Sequence, residues 1–150
     1  MSDLPDQVFR DHFHRVYRVA LSMSGSHADA EDITQEAFVA IIRALPRFRG
    51  DSKLSTWIYR ITLRVGTRWL AKRSVAAELP PNLIAEDDAI PIDLINALNR
   101  LPIDLRMVIQ LVGIEGMSHA EAAEVLAIPE GTVASRMHYA RKRLTALLTG

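Results

Sequence analysis

"GMSHAEAAEVLAIPEGTVASRMHYARKRL", Gly116 to Leu144, decides the fold class. Ser118 with Glu121 three residues on has the spacing of a capping box, so a helix starts there and runs to about Leu126. Pro129 suits the first position of a second helix, where its missing N–H removes no hydrogen bond. That helix ends in the basic run Arg141-Lys142-Arg143. Only a three- or four-residue turn fits between the two, which makes a helix-turn-helix. Ala123 is small where the helices would cross, and Val125, Leu126, Ile128, Val133 and Met137 can form their shared apolar seam. The remaining face of the second helix carries Thr132, Ser135, Arg136, His138, Tyr139 and Lys142, groups that reach phosphates and base edges. Short-turn helix pairs also occur in plain helical bundles, and a basic last turn complements the helix macrodipole. The segment by itself therefore supports both a DNA-binding and a structural reading.

Outward from this stretch the periodicity stays helical. Val8, Phe9, Phe13, Val16, Tyr17, Ala20 and Leu21 place a first helix over about Pro5 to Met23, broken at Ser24-Gly25-Ser26. A second, about His27 to Leu45, aligns Ile33, Ala37, Phe38, Ile41, Ile42 and Leu45 on one face. After the polar loop "PRFRGDSK", a third helix over about Leu54 to Arg73 turns Leu54, Trp57, Ile58, Ile61, Val65 and Trp69 inward, and its other positions carry Arg60, Arg64, Arg68 and Lys72. Ser74 to Pro91 has paired prolines, an acidic cluster and no period, and reads as a flexible linker able to span about 60 Å when extended. Short helices follow near Ile92 to Arg100 and from Pro102 to about Ile114. No strand-like alternation or internal repeat occurs. The expected architecture is all-α, two small helical domains over residues 1–73 and 92–150 joined by a linker over 74–91.

Composition narrows the function classes. The chain has 150 residues, 49% of them hydrophobic, enough for a buried core. It has no cysteine, which removes disulfide frameworks, thiolate zinc sites and cysteine nucleophiles together. No apolar run approaches the ~18 residues of a membrane span and the N-terminus lacks an apolar leader core, so a cytoplasmic protein without membrane insertion is expected. The formal net charge of zero hides segregation: residues 43–73 carry nine bases against Asp51 alone, and the last twenty residues carry four bases and no acid. An acidic stretch precedes each block. Two basic blocks of this kind fit two contacts with a polyanion. The five histidines show no metal-ligand spacing, and no glycine-rich phosphate loop or nucleophile elbow occurs, so neither an enzyme nor a metal or cofactor is expected.

Two long stretches, "DAEDITQEAFVAIIRALPRFRGDSKLSTWIYRITLRVGTRWLAKR" and "LPIDLRMVIQLVGIEGMSHAEAAEVLAIPEGTVASRMHYARKRL", resemble regions 2 and 4 of the extracytoplasmic-function (group 4) sigma factors of bacterial RNA polymerase. Together they cover about three fifths of the chain, in the family's order. The resemblance implies a monomer when free that binds core RNA polymerase and promoter DNA and is regulated by an anti-sigma protein. It assigns polymerase docking to Asp29, Glu31, Asp32, Gln35 and Glu36, whose acceptors would meet basic groups of a partner helix. It assigns the minus-10 element to Arg49, Gly50, Asp51, Ser52, Lys53 and Leu54, a loop that would hold a flipped base, with Arg60 and Arg64 beside it. It assigns the minus-35 element to Thr132, Ala134, Ser135, Arg136, His138, Tyr139, Arg141, Lys142 and Arg143. Relatives in that family commonly carry long basic residues where Ala134 and Tyr139 stand and glycine where Ala127 stands. These departures suggest an altered promoter sequence or a weaker minus-35 grip. Spacing makes Trp57 and Trp69 core residues, while Tyr59 and Phe48 fit either core or base stacking. A stand-alone helix-turn-helix repressor would leave the arginine-rich third helix unexplained. A sigma mimic that only titrates an anti-sigma protein would have no use for two basic blocks.

Overall fold

The computed structural model describes residues 4–72 and 91–149, and every regular element among them is helical. Arg73 and residues 74–90 of the expected linker lie outside the described residues. Helices α1 (Leu4–Ser24), α2 (His27–Ala44) and α3 (Leu54–Lys72) form the N-terminal unit. Helices α4 (Ile92–Asn99), α5 (Ile103–Val108), α6 (His119–Leu126) and α7 (Glu130–Thr149) form the C-terminal one.

The N-terminal unit follows the sequence pattern closely. Gly25, at φ 79°, makes the sharp turn between α1 and α2, and Ser26 caps α2 by accepting the Asp29 amide at 3.3 Å. Ile33 and Ile41 of α2 and Ile58 of α3 are fully buried with Val16 and Ala20 of α1. Removing each such isoleucine from water contributes about 1.5–3 kcal/mol. Trp57 and Trp69 pack against this core as partly buried side chains, as their spacing requires. Beyond α2 the chain tightens into a 3-10 turn, Leu45–Arg47, because Pro46 has no amide with which to continue the helix.

In the C-terminal unit, Pro102 and Pro129 stand one residue outside the helices they precede, as N-caps rather than first helical residues. The Pro129 carbonyl still accepts from the Thr132 and Val133 amides, at 3.0 and 3.2 Å. The continuous helix expected to Ile114 instead changes at Ile109 into a π-helical turn, Ile109–Ile114. There the Glu115 amide donates to the Gln110 carbonyl, five residues back, at 2.9 Å. This widened turn puts side chains five apart in reach of one another, and Gln110 Nε2 donates to Glu115 Oε2 at 2.9 Å.

The two units do not stand apart. A second core joins Val19 and Met23 of α1 and Tyr59 of α3 to Met107, Leu111, Met117, Val125 and their neighbours in the C-terminal unit. Helix α3 lies along α6, and α1 touches α5. The physical reason is that α1 and α3 are apolar on more than one side. Val16, Ile58 and Val65 fill the bundle's own core, while Val19, Met23, Tyr59, Leu63 and Leu70 need another cover.

Candidate functional site

Three surfaces carry the candidate residues. On α2, Glu31, Asp32, Gln35 and Glu36 are exposed and point away from the bundle. The same face continues into exposed Val39 and Ile42 and the base Arg43. Asp29 differs in exposure from the other four residues assigned to docking. It is only 6% exposed, because the turn at Gly25 folds the first turn of α2 against the end of α1.

The second surface is the loop before α3 and the outer side of that helix. Arg49, Gly50 and Asp51 are exposed, Ser52 and Leu54 half-buried. Gly50 has φ 82° with nothing within 4 Å of where a Cβ would stand, so the backbone angle alone demands glycine. Phe48 lies 4.9 Å from Trp57, ring centre to ring centre, half-buried on the bundle. Arg60, Arg64 and Arg68 project from α3 beside Glu124, Leu126 and Ala127 of the C-terminal unit, lining one groove. Lys53 reaches the same unit, its Nζ 2.9 Å from Glu121 Oε2. Tyr59, which sequence left between two roles, is buried at 2% exposure. It does not face solvent in this arrangement.

The third surface is α7. Val133, Met137, Ala140 and Leu144 recur every three or four residues and are buried. At 100° per residue this leaves Ser135, His138, Tyr139 and Lys142 opposite the core. Ala134 and Arg141 fall on one flank, Thr132, Arg136 and Arg143 on the other. Tyr139 is 58% exposed, with the His138 ring edge-on at 5.5 Å. The Ser135 hydroxyl donates to the Thr132 carbonyl at 3.2 Å, which leaves its lone pairs outward. Among the described residues, Arg136, Arg141, Lys142 and Arg143 have no acidic partner within ion-pair distance.

Helix α7 is aimed by the turn before it. Ser118 Oγ accepts the Glu121 amide at 3.0 Å and the Ser118 amide donates to Glu121 Oε1 at 2.8 Å, completing the capping box. The Ser118 amide and Lys53 together hold the Glu121 carboxyl below its ordinary pKa. Helix α6 ends at Ala127, the described non-glycine residue with positive φ, at 57°. This is the left-handed region, which strains any residue with a Cβ and accounts for glycine being common there.

Sequence reasoning missed one cluster altogether. The Glu115 side chain is fully enclosed and accepts from Arg18 Nε at 3.1 Å, Arg18 Nη2 at 2.9 Å, Tyr59 Oη at 3.0 Å and Gln110 Nε2 at 2.9 Å. Burial, then the Glu115 charge, push the Tyr59 phenol well above its usual pKa, so it stays a donor. The trace in sequence was two polar residues, Gln110 and Glu115, inside the apolar run "VIQLVGIEGM".

Known proteins share this arrangement of parts. Residues 8–75 match the family model of sigma-70 region 2 and residues 92–144 that of sigma-70 region 4. The chain is 35% identical over 153 residues to the ECF RNA polymerase sigma factor SigE of Mycolicibacterium smegmatis, covering 93% of this chain and 59% of that protein. It is 34% identical over 149 residues to the ECF sigma factor SigM of Mycobacterium tuberculosis, covering 95% of this chain and 76% of that one. Among solved structures, the sigma factor RpoE of Bartonella quintana, in complex with the anti-sigma factor NepR, superposes with TM-score 0.81 at 26% identity over 99% of this chain and 98% of that one. CnrH, in complex with the cytosolic domain of CnrY, superposes with TM-score 0.73 at 29% identity over 97% of this chain and 87% of that one. With both regions matched in order and relatives of this identity along nearly its whole length, the chain belongs to the extracytoplasmic-function sigma factors of the sigma-70 family.

Proposed function

We propose that the chain is a promoter-selecting subunit, not an enzyme, which binds core RNA polymerase in the cytoplasm and brings it to a defined set of promoters. Glu31, Asp32, Gln35 and Glu36 dock on the polymerase. The loop from Arg49 to Leu54, with Arg60 and Arg64, holds the opened minus-10 strand. Helix α7 enters the major groove of the minus-35 element with Ser135, His138 and Tyr139 toward base edges. Ala134 and Thr132 border that contact, and Arg136, Arg141, Lys142 and Arg143 neutralise phosphates. The observation that carries this reading is the presence of both sigma regions, in order, each with its basic block in place.

An anti-sigma protein is the expected regulator, because RpoE is seen with one. The free chain is a monomer on this reading. Among the described residues no helix is long and apolar enough to cross a membrane, in keeping with a cytoplasmic site of action. Run-off transcription with core polymerase, this chain and a genomic promoter library tests the proposal. Initiation at a restricted set of start sites, absent with core alone, is the expected result. No chain-dependent initiation at any promoter overturns it.

A further inference from the structure

We infer that Glu115 is a latch that holds the two units of the free chain closed upon each other, and that opening it uncovers Tyr59 and the apolar side of α1 and α3. Three of the four hydrogen bonds to this enclosed carboxylate come from the N-terminal unit, two from Arg18 and one from Tyr59. They join positions 97 and 56 residues apart in the chain. The fourth, from Gln110, fixes the carboxylate from its own side.

A buried ion pair is a poor choice for permanent adhesion. Apolar side chains of the same volume hold as well or better, because the charges give up their hydration. It suits a joint that has to reopen. On separation, Arg18, Glu115 and the Tyr59 hydroxyl regain water, which offsets part of the cost of exposing Val19, Met23 and Leu63. The second tie, Lys53 to Glu121, is mostly exposed and so contributes little to closure. Its position still matters, because it draws the loop before α3 onto the helix-turn-helix.

Closure conflicts with the proposed function, on which this consequence rests. Elements named minus-10 and minus-35 lie about 25 base pairs apart, on the order of 80 Å of duplex. Here the loop assigned to one is 2.9 Å from the helix-turn-helix assigned to the other. The closed chain cannot serve both elements.

The absence of cysteine makes the test direct. Arg10→Cys on α1 and Thr145→Cys on α7, both exposed, place a pair of spin labels on the full chain. Double electron–electron resonance should show one narrow distance population in the parent and an added second population in Glu115→Gln. The closed-to-open ratio should fall about tenfold or more. Tyr59→Phe, which removes one of the four hydrogen bonds, should give a smaller shift in the same direction. Helical circular dichroism checks each variant, and Tyr59→Phe carries the test if Glu115→Gln fails to fold. Superimposable distributions for parent and folded variants overturn the latch, as does a parent with no single narrow population. In parallel, anisotropy with a labelled single-stranded minus-10 oligonucleotide should rise more steeply for Glu115→Gln. Opening by resonance without that gain supports the latch and counts against the DNA assignment of α3.

Discussion

Tyr139 stands where relatives commonly carry arginine, and its 58% exposure opposite the buried stripe of α7 leaves it free to meet a base. A guanidinium donates to both acceptors of a guanine and a phenol cannot, a difference of roughly 1–3 kcal/mol per base. Tyr139→Arg should therefore change the minus-35 sequences recovered in binding selection, whereas Arg141→Ala, on the flank, should weaken binding to all of them and flatten the salt dependence. Identical selected sequences for Tyr139→Arg and parent would mean that this side chain reads nothing. Ala127 makes an independent residue-scale test. Its left-handed φ of 57° strains a Cβ at the end of α6, so Ala127→Gly should stabilise the chain by about 1 kcal/mol, seen as a rise of a few degrees in the thermal midpoint. An unchanged or lower midpoint would show that the turn is held without cost.

Among elements, α2 and α6 carry the sharpest expectations. The four exposed polar residues of α2 lie on a face with no role in its own core, so Asp32→Ala with Gln35→Ala should weaken core polymerase affinity while helical circular dichroism stays unchanged. Unaltered affinity in that double variant would move the docking site elsewhere. For α6, the capping box joins Ser118 to Glu121, and Ser118→Ala should cost about 1 kcal/mol in denaturant unfolding. The Glu121 carboxyl is held below its unfolded pKa, so the folded state binds fewer protons there than the unfolded one. Its stabilisation is complete above the unfolded carboxylate range and is lost as pH falls through the folded pKa. Glu121→Gln should therefore shrink the loss of stability on acidification relative to the parent, and equal acid sensitivity would count against the cap's part in it. These elements were readable in sequence because their signals are local: a cap three residues from its partner, an apolar stripe repeating every turn. The burial of Asp29 was not legible for the same reason. Residue type in a pattern does not say that a turn four residues earlier encloses the side chain.

At the scale of the whole molecule the sequence was less informative. Two units, their order and the basic blocks were legible, while their mutual packing was not. The contacts of Glu115 with Arg18 and Tyr59 depend on how the units dock, which no local period encodes. Tyr59 could be placed neither in a core nor on a base, because its core belongs to both units. Closure also shapes the minus-10 experiment. Lys53 has Glu121 as partner in the free chain and, on the proposed reading, the opened DNA strand in the working complex. Ser52→Ala with Lys53→Ala should thus reduce permanganate reactivity of the melted strand at equal polymerase occupancy. Full bubble formation by that variant would remove the loop from strand capture.

The π turn at Ile109–Ile114 has a consequence for lineage as well as for geometry. Such a turn is an α-helix carrying one surplus residue, and each residue counts for 100° of helical phase. Without the surplus, the helix would rewind and position 115 would swing about 100° around its axis, away from Arg18 and Tyr59. A relative shorter by one residue between Val108 and Glu115 would keep its helix-turn-helix motif and lose the register of this contact. Insertion and deletion at that single point, rather than exchange of side chains, is then the change to look for when sister sequences are compared for how tightly their halves cohere.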